Sequence, residues 1–79
     1  MSNQQKLFQV VADVFRVDIG TIDEESSPDN IPAWDSLGVV RLVTELEQEF
    51  RLQFDILEIA DFHKVSLIKS ILAEKGVQF

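Results

Sequence analysis

Apolar residues recur at the three- and four-residue spacing of a buried helix face in three stretches of this 79-residue chain. The first runs from about Gln4 to Val17, with Leu7, Val10 or Val11, and Val14 on its inner side and Phe8 and Phe15 as neighbours. Ser2 or Asn3 can cap its start, and Asp18, Gly20 and Thr21 end it. The second, from Leu37 to Phe50, contains no proline and is rich in helix formers in its second half. Val39, Leu42, Val43, Leu46 and Phe50 fall in one stripe of that helix. Leu37 and Val40 fall outside it, on the side that carries Arg41, Thr44 and Gln48. The third stretch places Leu67, Ile68, Ile71 and Leu72 on a buried stripe, with Ser66 as candidate cap and Gly76 as stop. A shorter helix is expected near Ile56 to Ala60, capped by Asp55.

Between the first two helices, Asp18 to Trp34 holds Gly20, Ser26-Ser27-Pro28-Asp29-Asn30 and Pro32, a run of turn formers too dense for a long helix. Ile22, Ile31 and Trp34 are apolar anchors within it, so the loop is expected to lie pinned across the helices. The pattern predicts an all-α single domain over residues 1–79, a four-helix bundle with three main helices, one short helix and a long first loop.

Composition narrows the function. Fourteen acidic against seven basic side chains give a net charge of -7, which argues against binding a phosphate backbone and for soluble partners with basic surfaces. With no cysteine, a hydrophobic content of 46% must supply the core without disulfides or thiolate-bound metal. No apolar run approaches membrane-spanning length and the start Met-Ser-Asn-Gln-Gln lacks a signal core, so no membrane association and a cytoplasmic protein are expected, and the chain is taken as a monomer.

The candidate chemistry lies in Trp34-Asp35-Ser36-Leu37, where the polar loop meets the second helix. Asp35 is a good N-cap, which leaves Ser36 at the first helical position with its hydroxyl outward. A phosphate on that oxygen would sit at the positive end of the helix. An Asp-Ser pair before an apolar run is also an ordinary helix start. Exposed aliphatic residues within a turn of a modifiable serine, however, have the character of a docking surface.

Asp35-Ser36-Leu37, followed by Val40, Leu42-Val43, Leu46-Glu47 and Phe50, resembles the serine motif and second helix of acyl carrier proteins. Phe54, Ile59, Phe62 and Val65 extend the resemblance over nearly the whole chain. It implies an acyl-carrier-like bundle in which Ser36 carries 4′-phosphopantetheine, whose thiol holds acyl groups as thioesters. The partners implied are a magnesium-dependent phosphopantetheinyl transferase and separate acyl-loading and acyl-processing enzymes, the chain itself being no enzyme. Asp35 would help position the serine, and Trp34 would either cover the prosthetic group or fill the gap between loop and helix. Leu37, Val40, Arg41, Thr44, Glu47 and Gln48 are the implied partner-binding residues. Glu47 matches an acidic docking position, whereas Gly38, Arg41 and Gln48 stand where fatty-acid carriers usually have acids. Ile31-Pro32-Ala33-Trp34 is closer to carriers of specialised pathways such as polyketide, modified-lipid or surface-polysaccharide assembly.

Other readings are a peptidyl or aminoacyl carrier, or a helical adaptor in which Ser36 is only a helix-start residue. A Ser36-His63-Asp triad lacks the strand-turn-helix context of a nucleophile elbow, and His63 reads better as a surface residue. Asp23-Glu24-Glu25 lacks an EF-hand pattern and reads as a solvated charge run. Glu47 and Arg51, and Arg41 and Glu45, are spaced for intrahelical pairs.

Overall fold

The computed structural model describes residues 2–79. It is all-α, with helices α1 (Asn3–Phe15), α2 (Ser36–Phe50), α3 (Ile56–Ile59) and α4 (Val65–Glu74) and a single 3₁₀ turn at Ile19–Thr21 in the first loop. Among the described residues, no helix is long and apolar enough to cross a membrane.

Local chemistry sets the helix ends. Ser2 caps α1 through a reciprocal box with Gln5, and Asp55 caps α3 through the same arrangement with Glu58. α1 stops at Phe15, two residues short of the expected Val17, because Arg16 turns into the left-handed region at φ 56° and the Val17 N–H returns to the Ala12 carbonyl. Arg51 ends α2 in the same way at φ 54°, with the Leu52 N–H on the Glu47 carbonyl. Gly76, at φ 101°, performs this turn after α4 without the penalty a side chain brings.

One core holds the bundle together. Leu7, Val11 and Phe15 from α1 meet Leu42 and Leu46 from α2, Phe62, and Val65, Ile68 and Leu72 from α4. Val11 is therefore the fully buried member of the Val10–Val11 pair. Val39, Val43 and Phe50 pack against the core but remain half-buried, so the α2 stripe centres on Leu42 and Leu46.

The first loop is pinned as expected, with Ile22, Ile31 and Trp34 buried. It also caps α4. The Val65 and Ser66 N–H groups donate to the Ser26 and Glu24 carbonyls at 3.0 and 2.9 Å, and Ser26 is itself buried. Ser66 is consequently not the cap but the second residue of α4, and the side chain of Lys64 at the cap position makes no capping hydrogen bond to the first turn. With the helix beginning at Val65, that residue takes the inner place on the stripe and Leu67 is left 42% exposed. The acidic run joins the same contact. Glu25 pairs with Lys64 and Glu24 with Lys69, each at 3.2 Å, so the loop is tied to α4 by charges as well as by backbone.

Candidate functional site around Ser36

The geometry of Ser36 is set by its neighbours on the chain. Asp35 is extended, and its Oδ1 accepts from the Gly38 N–H at 2.8 Å, while its carbonyl accepts from the Val39 N–H. The N–H groups of Ser36 and Leu37 have no protein acceptor among the described residues. Nor does the exposed Ser36 hydroxyl enter any hydrogen bond there. The first turn of α2 thus presents a free hydroxyl beside two free amide donors, the local electrostatics that favour an anion.

Trp34 fixes where that turn points. Its ring is 4% exposed, stacks on Phe15 with centroids 5.1 Å apart, and donates from Nε1 to the Phe62 carbonyl at 3.2 Å. The indole is a strut between the end of α1, the loop and the segment before α4, and all of its polar capacity is used. It also borders an open cleft of about 530 Å³ next to Ser36. Val39 and Val40 of α2 face Ile59, Ala60 and His63 across that cleft. His63 is exposed, and no hydrogen bond joins it to Ser36.

Gly38 is the residue whose role the sequence did not reveal. A Cβ there would lie 2.6 Å from the Ala33 carbonyl oxygen and 2.7 Å from Phe15 Cε1. The loop backbone and the α1 aromatic ring close on the first turn of α2 too tightly for any side chain. A larger side chain at this place, an acidic one included, is therefore disfavoured by packing.

The expected partner-binding residues separate into two groups. Leu37 and Val40 are 62% and 61% exposed, and Arg41, Thr44 and Gln48 are exposed beside them, so these form one accessible face. Thr44 Oγ1 donates to the Val40 carbonyl. Glu47 behaves differently: it is half-buried, and its Oε2 accepts from the Phe54 N–H at 2.9 Å. Its carboxylate holds the chain after α2 instead of pairing with Arg51, and Arg41 likewise makes no ion pair with Glu45 among the described residues.

Ile56 and Leu57 on α3, 82% and 81% exposed, add an apolar pair that sequence periodicity could not place, since a single helical turn has too few residues to define a face. α3 is tied to the end of α4 by the ion pair of Glu58 with Lys75 at 2.8 Å. No protein-family model matches the chain, and no curated protein sequence matches it.

Proposed function

We propose that this chain is an acyl carrier protein in which Ser36 bears 4′-phosphopantetheine. The observation that carries the reading is the exposed, unbonded Ser36 hydroxyl at the head of a helix whose first-turn amides are free, on a turn immobilised by Trp34 and Asp35. The residues fit the group: two free N–H donors suit a phosphodiester, and the adjoining cleft of about 530 Å³ with Val39, Val40 and Ile59 on its walls suits an uncharged arm. When attached, the group supplies the thiol on which acyl cargo travels as a thioester. In the transferase, the Ser36 oxygen bonds to the pantetheine-side phosphorus of coenzyme A and the phosphoanhydride breaks, releasing adenosine 3′,5′-bisphosphate. Asp35, engaged with the Gly38 N–H, holds the serine in place through that step.

Leu37, Val40, Arg41, Thr44 and Gln48 form the face offered to partner enzymes, while the bond that Glu47 accepts from the Phe54 N–H makes it a support of that face. With Arg41 where fatty-acid carriers are acidic, the partners are enzymes of a specialised cytoplasmic pathway, such as polyketide or modified-lipid assembly. Incubation with coenzyme A, magnesium and a broad-specificity transferase tests the proposal. Intact mass should rise by one phosphopantetheine for the wild type and stay unchanged for Ser36→Ala. A helical adaptor would gain no mass in either case, and addition to Ser36→Ala would move the site elsewhere.

A further inference from the structure

α1 and α2 lie antiparallel, because Phe15 at the end of one helix meets Gly38 at the start of the other. An open groove of about 630 Å³ runs along their seam and meets the Ser36 cleft at Val40. Val10, Val14 and Val40 give it an aliphatic lining. Its charges are unevenly placed. Arg16 and Arg41 stand with Asp13 towards the end nearest the head of α2, whereas Glu45, Glu49 and Lys6 line the stretch towards the other end.

Neither arginine has an ion-pair partner among the described residues. The carboxylate of Asp13, the acid of α1 in the groove, is instead bound by the Gln9 side-chain amide at 2.8 Å. Arg16 also occupies a position that suits glycine. At φ 56° and ψ 47° its backbone is left-handed, which costs a side chain of this kind on the order of 1 kcal/mol. Arg51 has the same left-handed geometry at the end of α2, but only Arg16 brings its guanidinium to the groove.

We propose that the α1–α2 groove is a docking site for an acidic amphipathic segment of a partner protein, its carboxylates on Arg16 and Arg41 and its aliphatic side chains against Val10, Val14 and Val40. Planar, weakly hydrated guanidinium groups favour carboxylate oxygens over water more readily than ammonium groups do. The chain's net charge of -7 repels an extended polyanion, so a short acidic segment confined to the two arginines fits better than nucleic acid or an anionic lipid surface. The groove shares Val40, Arg41 and Thr44 with the face offered to partner enzymes but does not include Ser36, so its occupation can be tested on the chain without a prosthetic group.

Nuclear magnetic resonance titration of the ¹⁵N-labelled full chain tests it. The probe is a blocked amphipathic helical peptide with leucine on one face and glutamate beside it, compared with the same peptide carrying lysine for glutamate. Saturable shifts at the amides of Val10, Val14, Val40 and Thr44 are expected with the glutamate peptide, weakened by raised salt. Arg16→Gly and Arg41→Gln should each weaken binding about fivefold. Arg16→Gly should at the same time hold or raise the melting temperature, so a loss of affinity in that variant cannot be ascribed to unfolding. Equal or tighter binding of the lysine peptide, shifts centred on Leu37, Ile56 and Leu57, unchanged affinity in both variants, or no saturable shift would each overturn the proposal. Concentration-dependent shifts of the groove amides without peptide would assign the groove to a second copy and overturn it as well.

Discussion

The rings of Phe15 and Trp34 stack at 5.1 Å between centroids and 21° between planes, so the last residue of α1 and the loop residue two places before Ser36 are held by one contact. Together with the indole bond to the Phe62 carbonyl, it fixes the start of α2 against two other segments. Trp34→Phe retains much of the ring but leaves that buried carbonyl without its donor, a loss of about 1–2 kcal/mol. Trp34→Ala removes the ring as well and should cost about 3–5 kcal/mol. Urea unfolding followed by far-ultraviolet circular dichroism measures both. Equal losses would mean that the hydrogen bond, and not the packing, is what the residue contributes.

Gly38 provides a test in which two physical effects have opposite sign. In an open helix, Gly→Ala gains up to about 1 kcal/mol from propensity and from the less flexible unfolded chain. Here the added methyl meets the Ala33 carbonyl at 2.6 Å and Phe15 at 2.7 Å, and overpacking of this kind costs about 1–3 kcal/mol. Gly38→Ala is accordingly expected to lower the melting temperature. A rise would show that the loop can retreat from α2 at little cost.

The faces of α2 can be separated by truncation. Leu46 is fully buried, and Leu46→Ala should destabilise by about 2–5 kcal/mol. Val43 is half-buried and loses fewer atoms, so Val43→Ala should cost about 1 kcal/mol. At 62% exposure Leu37 contributes little to the core, and Leu37→Ala should shift stability by no more than about 0.5 kcal/mol. If Leu37 acts in docking, the same variant slows attachment of the prosthetic group. Comparable destabilisation at Leu37 and Leu46 in thermal melts would contradict the assigned orientation of the helix.

Glu47 carries a structural duty that its place in a resembled docking motif conceals. Removing its carboxylate deprives the half-buried Phe54 N–H of an acceptor, and Glu47→Ala should destabilise by about 1–2 kcal/mol. Glu47→Gln keeps an acceptor oxygen and should recover most of that loss. Amide hydrogen exchange at Phe54 reports on the contact directly: it should quicken in the alanine variant far more than in the glutamine variant. Similar exchange in both would remove Glu47 from the account of the loop after α2.

Short-range chemistry was legible in the linear chain. The period of Leu42 and Leu46, the Asp35 and Asp55 caps, the turn formers of the first loop and the exposure of Leu37 and Val40 all depend on residues within a turn or two of one another. The anchors Ile22, Ile31 and Trp34 could be identified because a large apolar residue in a polar loop has to be buried somewhere. Where they are buried was not legible. The approach of Ala33 and Phe15 that requires Gly38, the Glu24 and Ser26 carbonyls that displace Ser66 as the cap of α4, and the choice of Val65 over Leu67 for the core each join segments far apart in sequence. Such contacts are selected by how whole helices and the loop fill space together, and single-segment periodicity holds no term for that. The sequence alone thus determined four helices and an outward serine at the head of the second, while tertiary packing decided how tightly that serine is held and which side chains near it remain free.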